Sequence, residues 1–264
     1  MAPQTTIPTI HNLAHSQAHR CLWMLEELHQ HDPSFKYEFK NYPRQVPYNK
    51  DLLQVFKLGK SPIMTLETTD NSPPPLIQVQ PGVLTESKLI LEFINEEYAG
   101  GLWTPKTLED RRRDRFFSEF ASSTLGQKND FTIIFEVLGQ VAPWPFSWLY
   151  RIMGLPMTMR FKGDLQPVFQ ILDDALTKEK PWFGGAEMGV SDFNMTWGMD
   201  VAVQRGYCDL SKYDKLRAWT EKIAARQAKK TAEEKGGKMD LMWFGIKGQK
   251  IKMQDLNDGE TKGY

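Results

Sequence analysis

The sequence predicts two domains of different class: a mixed α/β domain over residues 1–99 and an all-α domain over residues 106–264, the latter ending in an irregular tail from about 236. Three observations carry this. Over roughly the first 98 residues, β-type runs alternate with helical patterns in the order β-α-β-α-β-β-α. The stretch YAGGLWTPK (Tyr98–Lys106) carries two glycines and a proline and reads as a linker. After it no convincing strand pattern appears. A chain of 264 residues has room for one large domain or two small ones.

IPTIHNL (Ile7–Leu13) reads as a buried strand. A helix follows, with Ala18, Cys21, Leu22, Leu25 and Leu28 at helical spacing. FKYEFKNY places Phe35, Tyr37 and Phe39 on one face with period two, a half-buried strand. Asn49–Phe56 is a weakly marked second helix. PIMTLE and LIQV (Leu76–Val79) read as a hairpin joined by the turn-rich TTDNSPPP. The next helix follows Thr85, with Leu89, Ile90, Phe93 and Ile94 on one face. Beyond the linker, Thr107 and Asp110 have capping-box spacing. Helical patterns continue over about 130–140, 146–161, 164–178, 190–204 and 212–235. There is no internal repeat.

Composition excludes several classes. Apolar residues make up 41% and charged residues 25%, which rules out a disordered or collagen-like chain. Lys plus Arg and Asp plus Glu are both 33, so no global charge points to nucleic acid. Two cysteines, Cys21 and Cys208, are too few for a disulfide-stapled secreted domain. The N-terminus lacks the basic and apolar regions of a secretory signal, and the apolar stretch 131–159 is interrupted by polar residues and prolines. The expectation is a soluble, cytoplasmic protein with no transmembrane segment.

Three short motifs carry the chemistry. His15-Ser16-Gln17-Ala18-His19-Arg20-Cys21-Leu22-Trp23 places Ser16 where the first strand ends and a helix begins. Leu58-Gly59-Lys60-Ser61-Pro62-Ile63 opens the third strand with a proline. Leu84-Thr85-Glu86-Ser87 opens a helix. Taken singly, each has an ordinary reading: Ser16 as an N-cap, Pro62 as a trans proline at a strand edge, Glu86 as an acid favoured by the helix dipole. Taken together and in this order, with the all-α second half, they make the chain resemble the cytosolic glutathione S-transferase superfamily. The resemblance spans most of residues 7–225 and is greatest to the fungal, yeast-type, serine-class branch.

The resemblance implies a thioredoxin-like N-terminal domain, a helical C-terminal domain and a homodimer, together the glutathione transferase fold. Carried over by position, Ser16 is the catalytic hydroxyl that holds the glutathione thiolate. Gln17 and Lys60 contact the tripeptide's carboxylates. Ser61, before the family's cis-proline Pro62, pairs through its backbone with the cysteinyl part, and Glu86 and Ser87 bind the γ-glutamyl amine and carboxylate. Glutathione is then a co-substrate, with no separate cofactor and no metal. Strand one has no tyrosine, so the tyrosine-type classes fit poorly. Neither position 16 nor position 19 is a cysteine, which disfavours disulfide exchange.

Elementary energetics agree with one serine as the activating group. A thiol of pKa near 8.5 must fall by about two units to be mostly thiolate at neutral pH, a cost of about 2.7 kcal/mol. A hydrogen bond to a charged sulfur contributes about 1.5–3 kcal/mol and a helix N-terminus about 0.3–2 kcal/mol.

Two departures from the family pattern stand out. In GGAEMGVSDFNM (Gly184–Met195), Asp192 keeps the N3 acid of the family's buried helix start, but Gly189 stands where Ser or Thr is usual and supplies no side-chain acceptor. The 24-residue span from Pro62 to Glu86 is longer than usual, so the hairpin carries an insertion.

The resemblance places the second substrate on helices of the C-terminal domain. Phe116, Phe120, Trp144 and Trp148 are the candidates for that electrophile pocket, within an aromatic and Met-rich stretch that includes Phe131, Phe135, Tyr150, Met153, Met157 and Met159. For most of these, ordinary core is the better reading. Weak membrane association through an amphipathic helix ranks behind both. All five histidines lie within the first 31 residues and lack zinc-ligand spacing. Arg111–Arg113 reads as a solvated helix face.

The leading expectation is an enzyme that adds glutathione to small apolar electrophiles, in detoxification or secondary metabolism. The alternatives are a glutathione-dependent peroxidase or isomerase, and a catalytically silent transferase-like scaffold or regulator.

Overall fold

The computed structural model describes residues 4–44 and 49–242. The chain forms two compact units: residues 1–104 with 223–239, and residues 105–222 with the short segment that begins at Asp240.

In the first unit, β1 (Thr6–Leu13), β2 (Glu38–Tyr42), β3 (Ile63–Thr68) and β4 (Val83–Thr85) form one sheet in the order β2-β1-β3-β4. β1 runs parallel to β2, with Thr9 opposite Glu38, and antiparallel to β3, with Ile10 opposite Met64. β3 and β4 are antiparallel. The parallel pair requires a crossover, which α1 (Ala18–His31) provides. α1 is buried along nearly its whole length: Leu22, Trp23, Leu25 and Leu28 are fully inaccessible, and even Arg20, Glu26 and Glu27 are buried. α2 (Lys50–Val55) is capped by Asn49, whose side chain accepts the Leu52 N–H at 3.0 Å. α3 (Ser87–Phe93) continues into a π-helical turn, Ile94–Tyr98.

The hairpin differs from expectation. Leu76–Val79 is not a strand, and the partner of β3 is Val83–Thr85. Pro73, Pro74 and Pro75 have no N–H to give to a ladder. Leu76 and Val79 point into solvent instead. The Gln78 side chain takes over the pairing by accepting the Thr85 N–H at 2.9 Å. Gly82 closes the loop with φ +65, a conformation that favours glycine, packed where a Cβ would meet Pro74 at 2.7 Å.

The last helix of the described chain, α9 (Gln227–Gly236), also belongs to this unit and packs on α1. Ion pairs hold both of its ends. Arg226 Nη2 donates to Glu27 Oε2 at 2.6 Å, and Lys235 Nζ lies 2.6 Å from Glu26 Oε1.

The second unit is helical: α4 (Leu108–Glu119), a π-helical segment (Phe120–Gly126), α5 (Gln127–Val141), α6 (Phe146–Ala175), α7 (Val190–Gln204) and α8 (Asp214–Ala224). Thr107 caps α4 as its spacing predicts, accepting the Asp110 N–H at 3.0 Å. The patterns at 146–161 and 164–178 are one helix that runs through Pro156 and Pro167. The pattern at 212–235 is two helices that break before Arg226. Phe117, Phe169, Phe183, Phe193 and Trp219 form the core of this unit.

The Gly189 departure has a physical cause. A Cβ at position 189 would lie 2.2 Å from Asp114 Oδ1. That same oxygen accepts the Ser191 N–H at 2.9 Å, so Asp114, from α4, supplies the acceptor that glycine lacks at the start of α7. Asp192 accepts from the Phe183, Gly184 and Gly189 N–H groups and from the Trp219 indole at 2.8–3.1 Å. Burial nonetheless pushes its carboxyl up to about 6. Most of the expected tail from about 236 lies outside the described residues.

Candidate active site

Strand β1 ends at Leu13, and the chain turns through His15, at φ 55, before α1 begins. Arg44 holds this turn by donating to the Ala14 and His15 carbonyls, both at 3.1 Å. The turn carries Ser16 inward, where it is 5% exposed. Ser16 is not the formal cap of α1: the helix starts one residue later than expected, and Gln17 occupies the cap position without a side-chain capping bond. Ser16 Oγ still accepts the Ala18 N–H, at 3.3 Å, so it faces the positive end of the helix.

Two neighbours orient the hydroxyl. Ser16 Oγ lies 3.0 Å from Ser61 Oγ and donates to Asn12 Oδ1 at 3.2 Å. Ser61 already donates its proton to the His11 carbonyl, at 2.9 Å, and accepts the Leu13 N–H at 3.1 Å. A hydroxyl has one proton, so the single proton of Ser16 is shared between Ser61 Oγ and Asn12 Oδ1. Both of its acceptors are neutral. An anion placed beside Ser16 would take this proton in a stronger, charge-assisted bond.

Asn12 was not legible as part of this site. Its amide Nδ2 donates to Asn41 Oδ1 at 2.8 Å and reaches the Gly236 carbonyl at 3.5 Å, while Asn41 donates to the Lys235 carbonyl at 3.1 Å. Two amides thus link the Ser16 hydroxyl to the C-terminal carbonyls of α9. The only signal in the sequence is a buried polar residue within an apolar strand, IHNL.

The Ser61–Pro62 peptide is cis. Lys60 is exposed just before it, and Gly59 has φ 55. A second cluster joins Gln17, Arg20 and Ser87. Ser87 Oγ donates to Gln17 Oε1 at 2.9 Å, and Arg20 donates to both residues. Burial lowers the Arg20 guanidinium to about 10, so it stays charged at neutral pH. The exposed Glu86 sits at φ 67 where α3 starts, a left-handed conformation that a glutamate rarely adopts without a local reason. Ser16 with Ser61 and Pro62, and Gln17 with Ser87, are therefore brought together within the first unit. Lys60 and Glu86 flank them in sequence and are solvent-facing.

The two thiols and two of the histidines are held neutral by burial. Burial pushes the Cys21 thiol up to about 12, as expected for a core cysteine. Cys208 is also raised to about 12 by burial. His11 is held between Tyr42 Oη at 2.8 Å and Thr65 Oγ1 at 2.9 Å. Burial lowers it to about 4, and His19 likewise.

The electrophile candidates lie in the second unit. Phe116 is half exposed and packs on Phe120 with ring centroids 5.6 Å apart. Trp144 and Trp148 are largely exposed near the start of α6 and are not gathered with that pair among the ring contacts of the described residues.

No protein-family model matches the chain. Among curated proteins, it is 20% identical over 232 residues to Glutathione S-transferase 1 of Saccharomyces cerevisiae, a match that covers 86% of this chain and 94% of the relative. A solved glutathione S-transferase from Xylella fastidiosa superposes with a TM-score of 0.67 at 17% identity, over 87% of this chain and 98% of that one. The URE2P8 glutathione transferase of Phanerochaete chrysosporium, solved with oxidized glutathione, superposes with a TM-score of 0.64 at 17% identity, over 90% and 98%. The chain has the glutathione transferase fold. Its transferase fold has fungal-type relatives, in line with the motifs around Ser16, Pro62 and Ser87. At the start of α1 it presents the buried Ser16 hydroxyl.

Proposed function

We propose that this protein is a glutathione transferase that holds glutathione as its thiolate with Ser16 and adds it to small apolar electrophiles. The observation that carries the reading is the Ser16 hydroxyl, held at the α1 N-terminus with its proton offered only to neutral oxygens. A thiolate is the better acceptor, and its bond to Ser16 together with the helix end offsets the roughly 2.7 kcal/mol needed to lower a thiol pKa by two units. In this reading the Ser61 backbone pairs with the cysteinyl unit. Gln17, Ser87 and Glu86 receive the γ-glutamyl end, with the Arg20 charge behind Ser87 favouring a carboxylate there, and Lys60 reaches the other carboxylate. Phe116 and Phe120 are the apolar surface proposed for the electrophile.

Once sulfur is held as thiolate, it attacks the electrophilic carbon, a carbon–sulfur bond forms and the leaving group departs with its electron pair. The thiol proton has by then left to solvent, and no other group need accept it. Holding both reactants in place supplies the rest of the acceleration.

The test is retention on immobilised glutathione followed by conjugation of a chromogenic aryl halide. Retention with turnover that collapses in Ser16→Ala supports the reading. Retention without turnover across a broad electrophile panel would instead favour the peroxidase, isomerase or regulatory readings.

A further inference from the structure

Helix α9 ends against β2, the edge strand beside the one that leads into Ser16. The final four carbonyls of a helix have no partner within it. In α9 two of them, those of Lys235 and Gly236, are met by side chains from three other elements. Asn41 of β2 donates to the Lys235 carbonyl at 3.1 Å, and Asn12 of β1 reaches the Gly236 carbonyl at 3.5 Å. The His19 ring of α1 is hydrogen-bonded to the Gly236 backbone as well. Beyond the Arg226 and Lys235 ion pairs with α1, the Lys235 ammonium donates to the Tyr37 hydroxyl at 2.7 Å, which fixes this end of α9 beside β2.

The contacts run on into the site. Asn41 Oδ1 accepts from Asn12 Nδ2 at 2.8 Å, and Asn12 Oδ1 accepts the Ser16 hydroxyl at 3.2 Å. An amide side chain has one end that donates and one that accepts. With Nδ2 held by Asn41, the oxygen end of Asn12 faces Ser16. Asn12 is 1% exposed, so solvent does not readily replace a lost partner. The 3.5 Å contact with Gly236 is longer than an ordinary hydrogen bond and does not hold the amide alone. Without Asn41 the Asn12 amide is free to turn its NH2 group toward Ser16, and the acceptor that aims the Ser16 proton is gone.

We propose that Asn41 is a positioning residue for the Ser16 hydroxyl, and that the end of α9, by holding Asn41, takes part in stabilising the thiolate. The inference rests on the glutathione reading above and extends it to residues outside the tripeptide's assigned contacts. Asn41 is exposed, and its side-chain hydrogen bonds go to Asn12 and to α9, so its influence on Ser16 passes through Asn12. Gly236 gives a second handle on the same contact. A Cβ there would lie 2.7 Å from Cε1 of the His19 ring, itself only 2% exposed, so Gly236→Ala drives the end of α9 away from the two amides.

The test is the ultraviolet titration of glutathione's sulfur bound to the full chain, in the parent, Asn41→Ala, Asn12→Ala, the double variant and Gly236→Ala. Asn41→Ala is expected to raise the pKa of the bound thiol by about half a unit to one unit, the worth of one neutral hydrogen bond, with retention on immobilised glutathione unchanged. Gly236→Ala should shift it the same way. In the Asn12→Ala background Asn41→Ala should add nothing, because its route to Ser16 is already cut, whereas a general loss of stability would act in both backgrounds. Three results overturn the inference while leaving the thiolate reading in place. The bound sulfur is lowered in the parent and depends on Ser16, yet titrates in Asn41→Ala or in Gly236→Ala as in the parent. The shifts of Asn41→Ala and Asn12→Ala simply add. Asn41→Ala loses retention, which makes residue 41 part of binding or folding instead. A parent whose bound sulfur titrates like free glutathione overturns the thiolate reading itself, and the inference with it.

Discussion

Asn12 Oδ1 accepts the Ser16 hydroxyl at 3.2 Å, and the other side of the same amide is tied to Asn41 and α9. The amide's orientation is thereby fixed by its Nδ2 partners, so its oxygen must face Ser16. Asn12→Ala is expected to leave glutathione retention intact and to lower conjugation about 3- to 10-fold, the worth of one neutral hydrogen bond. The acidic limb of the pH–rate profile should move upward with it, because a poorly oriented hydroxyl stabilises the thiolate less. A merely structural role would lower stability and leave the limb in place.

Much of this arrangement was legible, for reasons that differ by element. β1, α1 and α3 carry their periodicity in apolar residues, so Ile10, Leu22 and Ile90 fall in the core as their spacing predicts, although Leu89, expected on the same face of α3, is exposed. Leu76–Val79 misled because apolar content resembles a strand, while the preceding prolines withdraw the N–H groups a ladder needs. Ser16, Gln17, Ser61 and Ser87 could be picked out by motif. Asn12 and Asn41 could not, since their roles depend on α9, whose contacting carbonyls lie 224 and 194 residues later, reaching the edge of the same sheet. Asp114 was hidden for the same reason: it caps a helix on another stretch of chain.

Because Asp114 occupies the place of a side chain at position 189, the effect of a serine there depends on residue 114. Gly189→Ser alone is expected to destabilise by about 1–3 kcal/mol through overpacking. Asp114→Ala alone removes the acceptor of the Ser191 N–H and costs about 1 kcal/mol. In the Asp114→Ala background the clash with the carboxylate is gone and the serine can restore a cap, while the Gly184 Cα, 2.8 Å from the added Cβ, still crowds it, so Gly189→Ser costs less there than in the parent. Denaturant midpoints of the four proteins measure this cycle. Simple additivity would contradict the explanation.

His11 and His19 supply a pH dependence. Burial lowers both from 6.5 to about 4, so each binds its proton more weakly in the folded chain than in the unfolded one. Their contribution is fully present above pH 6.5 and is lost as pH falls through about 4. The full loss is about 3 kcal/mol per residue, at 1.36 kcal/mol per pKa unit. Urea midpoints taken from pH 7.5 down to 4.5 should fall, and His19→Gln should flatten part of the slope. A slope unchanged by the substitution would show that the His19 imidazole is not the group responsible.

The most direct measurement is the ionisation of glutathione's sulfur while it is bound, followed by ultraviolet thiolate absorbance across pH in the parent protein and in Ser16→Ala. The account predicts that bound glutathione titrates about two units below a free thiol in the parent and moves back up by about one to two units in the variant, which still binds the tripeptide. An identical titration in both proteins would contradict it and assign the activation to another group.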